Sequence, residues 1–162
     1  LAAFGARHLR GDEHVVGNFT SGGTESIMLA VKAARDYYRS THPHIDAPEM
    51  ILPPTAHAAF HKAAHYLGVK AVTVSVEPRT FRADVETVKA AITTNTIMIV
   101  GSAPSYAHGV VDPISDLAAL ALPDQAVHMR LIGANPEAQA AGREPLAGRS
   151  RSNSPSPTTA RV

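Results

Sequence analysis

The sequence contains no cysteine and no tryptophan. The lack of cysteine excludes a disulfide framework, a thiolate metal site and a cysteine nucleophile. No apolar run approaches the roughly 20 residues that a membrane-spanning helix needs, and no segment has the character of a signal peptide. We therefore expect a cytoplasmic protein with no membrane segment in this chain.

An excess of charge of one sign is also missing. Lysine and arginine total 15 and aspartate and glutamate total 14, which leaves a formal net charge of +1. A nucleic-acid partner usually requires a basic surface, and this composition does not predict one.

Three familiar catalytic motifs are absent from the 162 residues. No G-x-G-x-x-G motif supports a dinucleotide fold, no G-x-x-x-x-G-K-[ST] motif supports a P-loop, and no G-x-S-x-G motif supports a hydrolase nucleophile elbow. The length still suffices for one domain with a sizeable core.

What is present is an alternation of short apolar runs and amphipathic stretches. The patterns predict helices over residues 27–39, 57–67, 83–92 and 113–122, and strands over residues 50–52, 70–76 and 96–100. This alternation is typical of an α/β fold with a mostly parallel sheet and helices on both faces. Ligands of such sheets bind at the carboxyl ends of the strands. GGTES follows the apolar stretch HVVGNF, whereas PPTAH and GSAPSYAHG follow predicted strands. We therefore expect these three segments to meet at that edge, which we call the rim.

The stretch GNFTSGGTESI, residues 17–27, places two glycines at the mouth of a predicted helix. Gly22 and Gly23 would let backbone N–H groups approach an anion, and the helix dipole would favour its charge. The hydroxyls of Thr24 and Ser26 would add donors. An ordinary strand-to-helix turn with a cap explains the same spacing, so the residues alone leave both interpretations open.

Histidines and a long loop supply the other candidate site residues. His57, His61 and His65 have the i, i+4, i+8 spacing of a metal-binding helix face, but the helix offers no supporting carboxylate, and we expect no metal. Alternatively, His57 alone acts at the helix entry by stacking on a flat heterocycle. In the loop 101–113, Ser102 is placed for a ligand contact, and we predict that Asp112 caps the next helix.

The composition changes at residue 123. Residues 123–162 contain no aromatic residue and no lysine and are rich in proline, arginine, serine and alanine. We predict that this tail is disordered. Because the change comes directly after the apolar run DLAALAL of a predicted helix, with no break between them, we interpret the tail as the product of a frameshift or truncation. The start, LAAFGARHLR without a methionine, likewise suggests a piece of a longer chain.

Three separated segments together carry a specific resemblance. NFTSGGTESI, TAHAAFHKAAHYLGV and GSAPSYAHGVVDPI, in this order and at these distances, resemble the sphingosine-1-phosphate lyase branch of the pyridoxal-phosphate-dependent group II decarboxylase superfamily. The resemblance covers about residues 8–122. It implies that residues 1–122 are part of the large domain of the aspartate-aminotransferase type (fold type I), with pyridoxal 5′-phosphate as cofactor and a homodimeric assembly.

The resemblance also implies roles for individual residues. Gly22 supplies the turn, while Gly23 and Thr24 bind the cofactor phosphate through backbone amides and the hydroxyl. His57 matches the histidine that stacks on the pyridine ring, and Ser102 matches a residue near that ring.

The implied chemistry is cleavage of a bond to the substrate Cα. In the lyase branch this is a retro-aldol step that converts a phosphorylated sphingoid base into a long-chain aldehyde and phosphoethanolamine. An amino-acid decarboxylase of the same superfamily is the alternative, and a non-catalytic α/β module for phosphorylated ligands is a second. Thr55 and Ala107 depart from the serine and proline that the lyases tend to have at these places.

Two motifs of the family are missing from the 162 residues. One is an HVDA-like motif, whose aspartate bonds the pyridine nitrogen, and the other is an HKYG-like motif, whose lysine forms the Schiff base. All four lysines of the chain precede the GSAP loop, namely Lys32, Lys62, Lys70 and Lys89. We therefore expect this chain to be inactive on its own.

Overall fold

The computed structural model describes residues 17–121. The predictions for the first sixteen residues and for the tail at 123–162 lie outside this range. The elements, in chain order, are α1 (Gly23–Thr41), β1 (Glu49–Leu52), α2 (Ala59–Leu67), β2 (Lys70–Thr73), α3 (Val85–Ala91), β3 (Thr96–Ile99) and α4 (Ile114–Ala121).

Helix α1 is longer than its apolar pattern predicts. The predicted stripe is confirmed, since it is buried at Ile27, Val31, Ala34 and Tyr38. The helix also includes the turn GTES at its start, and it continues through Ser40 and Thr41 beyond the predicted end at residue 39. The hydroxyls of Ser40 and Thr41 each donate to the carbonyl oxygen of Tyr37 over 2.8 Å, which stabilises the last turn.

The strands form a parallel sheet in the order β2–β1–β3. All four residues of the central strand β1 are buried, which is typical of a strand covered on both faces. Strand β2 ends at Thr73 and is shorter than predicted, because Val76 leaves the sheet and forms an isolated antiparallel bridge with Ala83.

Helices cover both faces of the sheet, as the alternation predicts. Met50 and Leu52 of β1 pack in one apolar cluster with the buried faces of α1 and α2. Ile51, which points to the opposite face, packs in a second cluster with Val88 of α3 and Leu117 of α4. The α/β class is therefore confirmed for the described residues.

The start of α1 lies on the same side as the rim. Helix α2 links the end of β1 to the start of the parallel strand β2, so it runs away from the rim and ends at Leu67. The Arg35 guanidinium donates to the carbonyl oxygen of Leu67 over 3.2 Å. The C-terminal half of α1 is therefore at the edge opposite the rim, and its first residue, Gly23, points toward the rim.

Candidate functional site

The first turn of α1 is open to an external acceptor. Gly22 precedes the helix and provides no side-chain cap, and first-turn N–H groups have no intrahelical partner. The Glu25 carboxylate instead accepts from the Ser21 hydroxyl at 2.6 Å and from the Ser21 N–H at 2.7 Å. These two bonds lower the pKa of Glu25, the hydroxyl bond more than the backbone bond. No described residue accepts from the N–H groups of Gly23 and Thr24, so within residues 17–121 these donors are available for an anion.

Packing among the described residues does not require the glycine pair. A Cβ added to Gly22 or Gly23 would meet no atom within 4 Å, and Gly22 has an extended backbone with φ of 163°. Gly101 differs, because a Cβ there would lie 2.8 Å from the Leu117 Cδ1 atom. The space beside Gly22 and Gly23 is the room that a phosphate would need to reach the amides.

His57 lies on the rim between β1 and α2 with an exposed ring. Its Nδ1 accepts the N–H of Ala59 over 3.0 Å, so the neutral ring carries its proton on Nε2. Helix α2 begins at Ala59, two residues later than predicted. His57 therefore lies outside the helix that holds His61 and His65, and no metal-binding group of three side chains occurs among residues 17–121.

Ser102 follows β3 on the rim, and Asp112 fixes its backbone. The carboxylate of Asp112 accepts the Ser102 N–H at 2.7 Å and the Ala83 N–H at 2.8 Å. The Asp112 N–H in turn donates to the Ser102 carbonyl over 2.9 Å. The prediction that Asp112 caps the next helix is wrong, because its buried carboxylate is already bonded to two backbone N–H groups from other segments.

Two buried hydroxyls lie on the rim segments, and the sequence alone does not mark them as site residues. Thr55 follows β1 and Ser105 follows β3, and neither side-chain oxygen has a hydrogen-bond partner within the described part of the chain. Buried polar groups are nearly always satisfied, so we expect both hydroxyls to find a partner that the described residues do not supply. The sequence gives one signal that Thr55 belongs to the site, which is that it stands where the lyases tend to have serine.

None of the four lysines lies in a rim turn itself. Lys32 is paired with Asp36 on α1, and Lys70, the first residue of β2, is paired with Glu49. The other two are on helices: Lys62 lies over the ring of Tyr66 in α2, and Lys89 is in the last turn of α3.

The residues present fit a phosphorylated, flat heterocycle. Uncapped N–H groups suit the phosphate, and the exposed imidazole of His57 suits a ring.

Within residues 17–121, no helix has the length and apolar character needed to cross a membrane.

Comparison with known families supports this interpretation. Residues 4–124 match the model of the DegT/DnrJ/EryC1/StrS aminotransferase family. Over 121 residues the chain is 49% identical to a sphingosine-1-phosphate lyase of Arabidopsis thaliana, which covers 75% of this chain and 22% of that protein. A sphingosine-1-phosphate lyase of Dictyostelium discoideum is 46% identical over 70% of this chain and 21% of its own length.

Solved structures agree on the fold. The sphingosine-1-phosphate lyase of Burkholderia pseudomallei superposes with a TM-score of 0.60 at 44% identity, over 62% of this chain and 23% of that one. A mutant aspartate aminotransferase of Thermus thermophilus superposes with a TM-score of 0.57 at 24% identity, over 74% of this chain and 33% of that one. The second likeness concerns the fold alone.

The chain spans about a fifth of the length of the curated relatives that it matches. The family match nevertheless covers most of the chain, and the parallel sheet with flanking helices is part of the fold of these relatives. The chain belongs to the DegT/DnrJ/EryC1/StrS aminotransferase family, has part of the large domain of fold type I pyridoxal-phosphate enzymes, and is similar in sequence to the sphingosine-1-phosphate lyases.

Proposed function

We propose that this chain is the phosphate- and ring-binding part of a pyridoxal-phosphate-dependent carbon–carbon lyase of the sphingosine-1-phosphate lyase type. The observation that carries the proposal is the 49% identity to such a lyase over 121 residues. Residues 4–124, which match the family model, include an uncapped helix start at Gly23 and an exposed imidazole at His57, both on the rim side.

Each rim residue has a distinct task in this proposal. The N–H groups of Gly23 and Thr24 and the Thr24 hydroxyl hold the cofactor phosphate. The His57 ring covers one face of the pyridine, and Ser102 contacts the ring from the end of β3. When bound, pyridoxal phosphate supplies an electron sink for breaking a bond to the substrate Cα.

The substrate in this proposal is a phosphorylated amino alcohol with a long chain. Cleavage of its Cα–Cβ bond yields a long-chain aldehyde and phosphoethanolamine. A homodimeric assembly and a cytoplasmic location are also part of the proposal and rest on the resemblance and the composition.

The decarboxylase alternative has weaker support. A mouse CSAD structure superposes with a TM-score of 0.61, but at 19% identity this likeness concerns the fold alone. The alternative of a general phosphate-binding module does not account for the identity to lyases that extends over the His57 and Ser102 segments.

The proposal is tested with a chimaera. Residues 17–121 of this chain replace the matching segment of the Arabidopsis thaliana lyase, which supplies the motifs that the 162 residues lack. We expect cleavage of a phosphorylated sphingoid base by the chimaera, measured as aldehyde release.

Two variants sharpen the test. His57→Ala in the chimaera should lower activity and change the absorbance of bound cofactor, whereas the matched variant His61→Ala, on the exposed side of α2, should do neither. A chimaera that folds and binds cofactor but does not cleave the substrate would contradict the proposed reaction.

A further inference from the structure

The loop that follows β3 folds into a closed strap over the rim. We call residues 102–112 the rim strap. Ser102 and Asp112 form its stem through the backbone and carboxylate bonds described above. In the next pair, the Ser105 N–H donates to the Val110 carbonyl oxygen over 2.8 Å. The tip consists of the four residues between that pair.

The strap tip touches the segments that follow both other strands. The Tyr106 ring lies 4.9 Å from the His57 ring, centroid to centroid, at an interplanar angle of 55°. The His108 ring stacks on Phe81 at 4.6 Å and 16°. The strap therefore bridges the rim from β3 across the segments that leave β1 and β2.

The strap is also fixed at its base. The Arg82 Nε donates to the Val111 carbonyl over 2.6 Å. Asp112, which is 1% exposed, binds the N–H of Ala83 from the same segment. A buried carboxylate with two backbone donors rigidifies the loops that it joins.

We propose that Tyr106 is a positioning residue that holds the His57 imidazole against the cofactor ring. The inference rests on the proposed function, because it requires His57 to cover that ring. The described residues give the His57 side chain one hydrogen bond, from the Ala59 N–H, and one ring contact, to Tyr106. The hydrogen bond sets which nitrogen carries the proton, but on an exposed ring a single bond does not prevent rotation about χ1 and χ2. The Tyr106 contact restrains that rotation.

The chain contains a matched control pair. Tyr66 is 63% exposed and Tyr106 is 70% exposed. Tyr66 lies 5.9 Å from the His65 ring at an interplanar angle of 51°, so its geometry resembles that of the Tyr106–His57 pair. It lies at the far end of α2, away from the rim.

The first measurement concerns His57 in the ligand-free 162-residue chain. Nitrogen-15 NMR in alkaline buffer, where the imidazole is neutral, reports whether Nδ1 accepts a hydrogen bond. We expect the Nε2-protonated form in the wild type and in Tyr106→Phe. In Tyr106→Ala we expect averaged shifts for His57, because the ring moves away from the Ala59 N–H. Tyr66→Ala should leave His57 unchanged.

The second measurement is the affinity for pyridoxine 5′-phosphate, which has the ring and the phosphate but no aldehyde to react with lysines. We expect Tyr106→Ala to weaken binding about three- to tenfold, the scale of one aromatic contact. Tyr106→Phe and Tyr66→Ala should bind like the wild type.

The outcomes separate this inference from the proposed function. A wild type that does not bind pyridoxine 5′-phosphate overturns the proposed function and the inference with it. A wild type that binds while Tyr106→Ala retains both its affinity and its His57 shifts overturns only the role of Tyr106. An equal loss of affinity for pyridoxine 5′-phosphate in Tyr106→Ala and Tyr106→Phe would show that the Tyr106 hydroxyl, and not its ring, supports binding. This result would also contradict the proposal.

Discussion

Gly23 is the residue at which the account of the phosphate site is easiest to test. A side chain there has room among the described residues, because an added Cβ would meet no atom within 4 Å. We therefore expect Gly23→Val to fold normally and still to block the approach of a phosphate to the first-turn amides. Loss of one hydrogen bond to a charged group predicts an affinity for pyridoxine 5′-phosphate weakened about tenfold or more.

A fluorescence titration measures this affinity. Ser115→Val is the matched control, since it places the same side chain at an exposed position in the first turn of α4. An unchanged affinity in Gly23→Val would show that the phosphate does not bind at this helix start.

Asp112 is the residue whose role the sequence predicts incorrectly. An asparagine there keeps one acceptor oxygen but turns an NH₂ group toward an N–H, so one buried backbone donor, on Ala83 or Ser102, loses its partner. We expect Asp112→Asn to lower the free energy of unfolding by about 1–3 kcal/mol, measured by urea denaturation.

Asp116→Asn is the control for this variant, because Asp116 is an exposed carboxylate in the first turn of α4. Its substitution should lower the free energy of unfolding by about 0.5 kcal/mol or less. Equal losses in the two variants would show that the bonds of Asp112 add nothing to stability.

At the scale of elements, Glu49 ties the sheet together at the edge opposite the rim. Its carboxylate accepts from Lys70 at 2.8 Å and from the Thr93 hydroxyl at 2.7 Å, and so connects the starts of β1 and β2 with the turn before β3. The bond from Lys70, followed by the bond from Thr93, lowers the pKa of Glu49 from its ordinary value of 4.5.

A lowered pKa in the folded state stabilises the protein above the unfolded value, and this contribution is lost as the pH falls. We expect the stability difference between the wild type and Glu49→Gln to be about 1 kcal/mol at neutral pH, since Lys70 is largely exposed and screened. The difference should shrink as the pH falls below about 4.5. Urea denaturation at a series of pH values measures it, and a difference that does not change with pH would contradict the role of Glu49.

The elements also show how far a sequence specifies structure. The apolar stripe of α1 and the buried run of β1 follow from periodicity, and both are confirmed. The ends of elements were less predictable, because β2 ends at Thr73 and Val76 pairs with Ala83 instead of continuing in the sheet. The partners of Asp112 and the contact between Tyr106 and His57 join residues far apart in sequence, and local patterns contain no information about them.

At the scale of the whole molecule, none of the four lysines lies in the rim segments that we propose to bind the cofactor. Its four lysines are on α1, α2, α3 and the first residue of β2. We expect reduction with borohydride in the presence of pyridoxal phosphate to label several lysines in part, and no turnover of a phosphorylated sphingoid base. Mass spectrometry of the labelled peptides measures the pattern. Complete labelling of a single lysine together with turnover would show that the 162-residue chain is an active enzyme.

The central claim is that the start of α1 and His57 together bind a phosphorylated pyridine. An NMR titration of the 162-residue chain with pyridoxine 5′-phosphate tests it most directly. We expect saturable shifts of the backbone amides of Gly23 and Thr24 and of the His57 ring, all with one common affinity. We also expect weaker binding of inorganic phosphate, which has no ring for His57 to cover. Equal affinities for the two ligands, or shifts that leave Gly23, Thr24 and His57 unaffected, would contradict it.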